Sequence, residues 1–310
     1  MNVVYCLDEN YNIQFYVSVN SLLSMVSAPL NIYLLHSNPK SLESKLKKIR
    51  RNINCNKLTV FKVDTDEINF PNIDKAHITS ATYFRLFIPK YLKDLDYIVY
   101  IDADTITISD PTQVISNEIN LLSKSNFYIS AVTETNISKQ PEYFKRLKLN
   151  GRNYFNAGFF ILNLKKFKLD YQEDSLLIEM EKLSESIKFW DQDVLNKFFD
   201  QKWLSITEAL NYRVDIAHKN QLNLDHVYIV HYVGSKKPWT FEGAVSNVSY
   251  LYQKNYIRFV NPIGLHLTTS WKSKLLKDLL RFIFSFEIFK FRYPLKLILS
   301  SFYLLIKIKK

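Results

Sequence analysis

The chain has 310 residues, of which 47% are hydrophobic and 15% aromatic, so it can bury a sizeable core and is not disordered throughout. Only five glycines occur, and no G-x-G-x-x-G or G-x-x-x-x-G-K-[ST] pattern is present, which excludes a glycine-rich phosphate loop. The formal net charge of +11 is concentrated after Leu265, which argues against a nucleic-acid-binding stripe across the fold and against a nucleic-acid partner.

The first hundred residues alternate between short apolar runs and helical patterns. Residues 3–7, 32–35 and 58–63 read as strands, and residues 16–26 and 41–50 read as helices. Alternation of this kind predicts an α/β domain with a mostly parallel central sheet and helices on both faces.

The same organisation continues through the middle of the chain. A continuous apolar strand at residues 97–101 ends at Asp102-Ala103-Asp104. The other predicted elements are a helix at 80–92, an apolar strand at 155–164, a helix at 190–199 and a strand at 227–231. Ligands of open α/β sheets bind beyond the carboxyl ends of strands, which is where Asp8 and the Asp102/Asp104 pair fall.

Two carboxylates at this spacing can share one divalent cation, and the cation can bridge the phosphates of a nucleotide sugar. The alternative for Asp102 and Asp104 is a solvated turn. His231 also ends an apolar strand, and an imidazole beside two carboxylates suits Mn²⁺ better than Mg²⁺. A histidine satisfied by hydrogen bonds at a strand end is the alternative there. Lys237 follows closely and can neutralise phosphate charge.

Six segments in this order resemble glycosyltransferase family 8, and among its members the bacterial galactosyl- and glucosyltransferases of lipopolysaccharide or lipooligosaccharide. The segments are residues 3–11, 80–86, 98–104, 154–164, 190–193 and 231–239. The resemblance implies a Rossmann-like nucleotide-diphospho-sugar transferase fold of GT-A type. It also implies a retaining, UDP-sugar-dependent hexosyltransferase with a saccharide acceptor. The catalytic domain is predicted to span residues 1–262.

The resemblance also assigns roles to the donor-binding residues. The uracil and ribose would be held by Cys6, Leu7, Asp8, Asn10 and Tyr11, with Asp8 reading the uracil edge. Arg85 would reach the donor phosphates or ribose, and Ala103 would contact the ribose.

The resemblance likewise assigns residues to the metal and to the diphosphate. Asp102, Asp104 and His231 would be the ligands of Mn²⁺, with Mg²⁺ as the second candidate. Gly234 and Lys237 would hold the diphosphate.

Asn156, Asp191 and Gln192 would line the donor sugar, and Gln192 and Asp191 are the catalytic candidates. An amide is a poor nucleophile, so front-side attack by the acceptor hydroxyl is favoured, with Asp191 as covalent nucleophile as the alternative. Glu134 stands where relatives carry an aspartate, which leaves the transferred hexose, galactose or glucose, open.

Residues 263–310 form a predicted helical extension in which basic and aromatic residues alternate. Its longest uncharged run, residues 297–306, is far shorter than the roughly 20 residues needed to span a bilayer. The pattern favours helices lying on an anionic membrane surface, next to a lipid-linked acceptor. A helical hairpin packed on the domain is the alternative. The amino terminus lacks a secretory signal pattern, so we expect a cytoplasmic protein peripheral on the inner face of the membrane.

Two other functions are alternatives to the transferase. A nucleotidyltransferase also uses paired carboxylates, but it would need a glycine- and arginine-rich triphosphate loop near the first strand, and this is absent. A non-catalytic membrane-surface protein on a transferase-like fold would use the basic tail alone. Residues 135–152 and 218–225 are the candidate acceptor loops.

Overall fold

The computed structural model describes residues 1–65, 68–71, 79–218, 221–268 and 272–307. Contacts divide the chain into two compact units. The first comprises Met1–Tyr212 with Val227–Ile229, and the second comprises Arg213–His226 with Val230–Lys310. The tail predicted from residue 263 onward therefore groups with residues 230–262. The functional boundary at residue 262 stays a prediction.

Ten strands occur in the described residues. They are β1 Asn2–Leu7, β2 Leu30–His36, β3 Cys55–Lys62, β4 Tyr97–Ile101, β5 Thr105–Thr107, β6 Ile129–Thr133, β7 Phe155–Asn163, β8 Trp203–Ser205, β9 Tyr212–Val214 and β10 Ile229–Tyr232. The first unit is built on a seven-stranded sheet in the order β3-β2-β1-β4-β7-β6-β8. The other strands form a sheet in the order β5-β10-β9.

The α-helices of the described residues alternate with single strands in the first part of the chain and follow one another directly in the later parts. They are α1 Asn12–Leu23, α2 Glu43–Arg50, α3 Ile88–Tyr91, α4 Thr112–Ser123, α5 Thr135–Ser138, α6 Pro141–Leu147, α7 Leu164–Asp170, α8 Ser175–Leu183, α9 Trp190–Phe198, α10 Phe241–Ala244, α11 Tyr250–Phe259, α12 Lys272–Phe284 and α13 Pro294–Lys307. The 3₁₀ helices are Glu9–Tyr11, Pro39–Leu42, Ser80–Phe87, Glu208–Leu210, Asn247–Ser249 and Glu287–Lys290.

Strand direction decides which residues reach the sheet edge that carries the predicted site. β1 is parallel to β2 and to β4, so the carboxyl ends of β1 and β4 lie at the same edge. β7 is antiparallel to both β4 and β6, with Ile101 opposite Phe159. Its amino-terminal end therefore lies at that edge, and the Asp102 N–H donates to the Gly158 carbonyl at 2.9 Å.

The central strands are buried on both faces, which explains why they read as continuous apolar runs and not as alternating ones. All nine residues of β7 are buried. Tyr100 of β4 stacks on Phe160 of β7 with ring centroids 4.8 Å apart. The mostly parallel α/β architecture predicted from the sequence is confirmed.

Several local predictions differ from the structure in detail. The helix predicted at 80–92 is a 3₁₀ helix over Ser80–Phe87 followed by α3. The candidate acceptor loop at 135–152 contains α5 and α6. Residues 219 and 220 of the second candidate loop, and residues 269–271 and 308–310 of the predicted tail, lie outside the described residues.

The second unit has a hydrophobic cluster of its own. It is made by Phe241, Ala244, Leu265, Leu267, Leu275, Leu279 and Leu297, all buried. Leu275 and Leu279 of α12 and Leu297 of α13 are its members from these two helices. Among the helices described, none has both the length and the apolar character that a bilayer crossing requires.

Candidate active site

Three side chains suited to a divalent cation come together around the end of β4. One ligand atom from each of Asp102, Asp104 and His231 lies within 4.8 Å of the others. Asp104 and His231 are buried, as is Ala103, which lies between the two aspartates in the chain. The Asp102 side chain is 20% exposed. Two carboxylates and an imidazole are a donor set that divalent cations accept. The predicted metal group is therefore assembled in the structure, and its residues fit a bound divalent cation.

Asp102 accepts hydrogen bonds from two neighbouring side chains. The Tyr100 hydroxyl donates to its Oδ1 at 2.6 Å, and Arg85 donates to the same oxygen at 2.9 Å. The guanidinium of Arg85 also lies over the Tyr100 ring, 4.4 Å from its centroid. Both donors converge on one oxygen, so they fix the orientation of a carboxylate that would bind the metal.

Arg85 also forms an ion pair with Asp191. Its Nε lies 3.0 Å from Asp191 Oδ2, while Thr82 donates to Asp191 Oδ1 at 2.6 Å. Burial raises the pKa of Asp191 to about 6, and the Arg85 charge and the Thr82 hydrogen bond oppose this rise. The positive charge of Arg85 thus bridges Asp102 and Asp191, and its contact with the donor stays a prediction.

The predicted sugar-binding amides form a network at the start of β7. Gln192 Oε1 accepts hydrogen bonds from Asn156 Nδ2 at 3.1 Å and from the Ala157 N–H at 3.0 Å. Asn156 Oδ1 accepts from the Gly158 N–H at 3.0 Å and from Asn211 at 2.9 Å. A backbone N–H can only donate, so these bonds fix which amide atom is oxygen in both side chains. The structure therefore brings Asn156 and Gln192 into direct contact.

A residue that our sequence analysis did not single out, Asp193, orients the start of α9. Its carboxylate is fully buried and accepts from Arg146 at 2.7 and 3.2 Å and from the Tyr154 hydroxyl at 2.7 Å. The backbone N–H groups of Lys188 and Phe189 donate to it at 2.7 and 2.9 Å. The signal available in the sequence was the second carboxyl-bearing residue of the 190–193 segment, after Asp191.

The predicted nucleoside loop follows β1. The Asp8 carboxylate caps the 3₁₀ helix Glu9–Tyr11, accepting from the Asn10 N–H at 3.0 Å and from the Asn10 side chain at 3.3 Å. Cys6 and Leu7 are buried in the strand, and burial raises the pKa of the Cys6 thiol. Asp8 therefore lies at the predicted sheet edge, and its contact with uracil stays a prediction.

His36 supports this loop from the end of β2. Its Nε2 lies 2.8 Å from Asn12 Oδ1, and its Nδ1 accepts from the Asn38 N–H at 2.8 Å. The Asn12 side-chain nitrogen donates to Ser41 at 2.9 Å, so the Asn12 atom facing His36 is the oxygen. His36 must therefore carry its proton on Nε2 alone and be neutral.

This buried histidine predicts a pH dependence of stability. Burial lowers the pKa of His36 to about 4, although Asp8 and Glu9 favour its charged form. The unfolded chain, with a histidine pKa of about 6.5, binds more protons between these values. The contribution of His36 to stability is therefore present above pH 6.5 and is lost as the pH falls toward 4, by up to about 1.4 kcal/mol per pH unit.

The variant His36→Gln is expected to lose this part of the slope, measured by urea unfolding at pH 5 and pH 7. His218→Gln, at an exposed position, is the matched control. An unchanged slope in His36→Gln would contradict the assignment of a neutral buried imidazole.

The predicted diphosphate residues lie in the second unit. Gly234 has a φ of +78°, which residues with a side chain rarely adopt. A Cβ at this position would also lie only 3.1 Å from the Asp215 carboxylate, so both the backbone and the available space favour glycine. The Lys237 ammonium donates to the Tyr232 carbonyl at 2.6 Å. Both residues lie in the irregular segment that follows β10.

Comparison of the sequence with known proteins gives matches to glycosyltransferases. The profile described as Glycosyl transferase family 8 matches residues 2–243. A putative glycosyltransferase of Haemophilus influenzae is 31% identical over 248 residues, covering 77% of this chain and 73% of the relative. The lipopolysaccharide 1,3-galactosyltransferase of Salmonella typhimurium is 27% identical over 284 residues, covering 86% and 82%.

The fold is shared with a solved transferase structure. The galactosyltransferase LgtC, solved with donor and acceptor sugar analogues, aligns with a TM-score of 0.69 at 20% identity, covering 84% of this chain and 96% of LgtC. At this identity the likeness concerns the fold, which is of GT-A type. With a family match across most of its length and the Asp102/Asp104/His231 group in place, the chain belongs to glycosyl transferase family 8.

Proposed function

We propose that the chain is a retaining hexosyltransferase that moves galactose or glucose from a UDP-sugar to a saccharide acceptor of lipopolysaccharide or another surface glycan. The observation that carries the proposal is the grouping of Asp102, Asp104 and His231 within 4.8 Å at the edge of an α/β sheet. Relatives named as lipopolysaccharide glucosyl- and galactosyltransferases support the choice of hexose and acceptor.

Mn²⁺ is the proposed cation, with Mg²⁺ as the second candidate, because the donor set includes an imidazole nitrogen. Asp102, Asp104 and His231 would hold it. When bound, the cation supplies Lewis-acid stabilisation of the negative charge that develops on the leaving UDP. Arg85 and Tyr100 hold the Asp102 carboxylate in one orientation for this purpose.

The donor is proposed to bind the residues that the resemblance assigns to it. The loop of Asp8 and Asn10 would bind the nucleoside. Lys237 would contribute a point charge to the diphosphate, and Gly234 would let the backbone approach it. Asn156 and Asp191 would contact the hexose.

The arrangement of Gln192 supports front-side attack. Its amide oxygen already accepts two hydrogen bonds, from Asn156 and from the Ala157 N–H, which further weakens a poor nucleophile. In the proposed reaction the acceptor hydroxyl oxygen bonds to the anomeric carbon while the bond from that carbon to the phosphate oxygen breaks on the same face. The hydroxyl proton passes to a phosphate oxygen of UDP.

Asp191 remains the alternative nucleophile. Its carboxylate is buried and is held by Arg85 and Thr82. A covalent route would require trapping of a glycosyl group on Asp191, which mass spectrometry of the protein incubated with donor alone would detect.

The test of the proposal is UDP release from a panel of UDP-hexoses with and without Mn²⁺. Turnover of one donor that depends on the metal would establish the transferase and name its sugar. Pyrophosphate release from a sugar phosphate and a nucleoside triphosphate would instead favour a nucleotidyltransferase. Absence of both reactions, with the tail still binding vesicles, would leave the non-catalytic alternative.

We further propose that the carboxyl-terminal helices dock on the anionic inner face of the cytoplasmic membrane, next to a lipid-linked acceptor. Ten large apolar side chains between residues 276 and 306 are exposed: Leu276, Leu280, Phe284, Phe286, Phe289, Leu295, Leu299, Phe302, Tyr303 and Ile306. Lys274 and Arg281 on α12 add positive charge. An apolar surface bordered by basic residues is what interfacial helices present to anionic lipid.

The double variant Phe284→Glu/Phe302→Glu is expected to bind vesicles containing phosphatidylglycerol at least about tenfold more weakly than the wild type. Phe284 is 76% exposed and Phe302 is 53% exposed. Full burial of such a side chain in the membrane stabilises binding by about 1.5–3 kcal/mol, which glutamate cannot supply. Vesicle co-sedimentation measures the effect. Ile53→Glu, at a side chain 89% exposed in the first unit, is the control. Equal binding of both variants and the wild type would exclude this surface.

A further inference from the structure

The segment 237–239, which contains the proposed diphosphate lysine, is fixed by a buried glutamine of α11. Gln253 is 1% exposed. Its Nε2 donates to the Pro238 carbonyl at 2.7 Å and to the His266 carbonyl at 3.0 Å, and its Oε1 accepts from the His266 N–H at 3.0 Å. One amide therefore joins three chain segments, and the backbone donor of His266 fixes its orientation.

Aromatic packing holds the same segment on the side of Trp239. The Trp239 ring is buried and lies 5.1 Å from the Tyr252 ring and 6.0 Å from the His266 ring. The Thr268 N–H donates to the Trp239 carbonyl at 2.7 Å. Burial lowers the pKa of His266 to about 3, so this histidine is neutral in the packed cluster.

A third set of contacts is made at the start of α10. Thr240 donates from its N–H and its hydroxyl to the Lys237 carbonyl, at 3.0 and 2.9 Å. Gly243 approaches so closely that a Cβ there would lie 1.9 Å from the same carbonyl oxygen. The backbone of Lys237 is thus enclosed by contacts that allow little displacement.

We infer that Gln253 is a positioning residue for binding of the donor diphosphate. Its hydrogen bonds to Pro238 and His266 set the backbone from which the Lys237 side chain extends. The inference rests on the proposed function, because it assumes that Lys237 meets phosphate.

The physical reason is the low tolerance of buried amide networks for a missing partner. Without the Gln253 side-chain amide, the Pro238 carbonyl and both backbone groups of His266 lose a hydrogen-bond partner in a buried environment. The segment then shifts or gains mobility to reach water, and the Lys237 ammonium no longer occupies one position. Uridine has no phosphate, so its binding does not depend on that position.

The test compares UDP with uridine as ligands of Gln253→Met in the presence of Mn²⁺. We expect the Kd for UDP to rise about ten- to hundredfold, by analogy with the loss of a hydrogen-bond partner that orients a metal ligand. The Kd for uridine should stay within twofold of the wild type (about 0.4 kcal/mol at 1.4 kcal/mol per tenfold). The donor KM should rise by more than kcat falls. Lys254→Met, at the exposed next position of α11, is the control.

Two further variants keep the test decisive. Gln253→Glu keeps an acceptor for the His266 N–H and loses both donors, so it should show the same selective effect if Gln253→Met does not fold. Gly243→Ala disturbs the Lys237 carbonyl from α10 and should also weaken UDP selectively.

Equal losses for UDP and uridine, or no loss for either in a folded variant, would overturn the inference. Such a result would leave the proposed function intact, provided that the wild type binds UDP with Mn²⁺. A wild-type chain that binds no UDP would overturn both.

Discussion

Asp104→Asn is expected to lower kcat/KM for the UDP-sugar by about 10³-fold. Asp104 is buried and its carboxylate belongs to the Asp102/Asp104/His231 group. An amide has nearly the same size but no charge, and so it is a poor ligand for a divalent cation. Lewis-acid stabilisation of a leaving diphosphate is worth several kcal/mol, and each 1.36 kcal/mol corresponds to about tenfold in rate.

UDP release measured at saturating Mn²⁺ gives the rate, and titration of Mn²⁺ by calorimetry gives a readout that does not depend on turnover. Asp174→Asn, at an exposed position before α8 where the side chain makes no capping hydrogen bond, is the matched control. If Asp104→Asn binds Mn²⁺ and turns over as the wild type does, the proposed metal centre is wrong.

Arg85→Met is expected to lower the free energy of unfolding by about 3–5 kcal/mol. The guanidinium is 8% exposed and pairs with Asp102 at 2.9 Å and with Asp191 at 3.0 Å. Removing one partner of a buried ion pair leaves an uncompensated charge, here on Asp191, whose side chain is 5% exposed. Urea unfolding measures the change, and Arg51→Met, at an exposed position, is the control.

A double variant separates charge from packing in this prediction. In Arg85→Met/Asp191→Asn a neutral amide replaces the carboxylate that lost its partner, so part of the lost stability should return. The two single effects should therefore be non-additive by more than 1 kcal/mol, a typical coupling for groups in direct contact. Simple additivity would indicate that the ion pair with Asp191 contributes little, and that Arg85 stabilises the fold through its other contacts, with Asp102 and with the Tyr100 ring.

The sequence predicts the position of the acidic groups well because the rule involved is local. An apolar run followed by a carboxylate, as at residues 3–8 and 97–104, marks the carboxyl end of a buried strand. Parallel neighbours such as β1 and β4 then bring both ends to one edge, whatever the remaining packing. His231 was predicted because it also ends an apolar run, but β10 continues to Tyr232 and belongs to the three-stranded sheet.

The sequence is less informative where strand direction matters. The run at 155–164 reads as a buried strand in either orientation, because full burial removes the alternation of polar and apolar residues. Its antiparallel pairing with β4 places Asn156, at its start, beside Gln192. In a parallel arrangement the same residue would lie at the opposite edge of the sheet.

Composition and pattern alone determined that the chain has an α/β core, acidic groups at the carboxyl ends of its strands and a basic apolar tail. Only the tertiary structure decided that Arg85 pairs with Asp102 and Asp191, that Asp193 orients α9, and that Gln253 holds the segment after β10. Periodicity and chain direction act between near neighbours and leave a trace in the sequence. Pairing of buried polar groups depends on distant segments, and the hydrogen bonds that satisfy them exist only once those segments have packed.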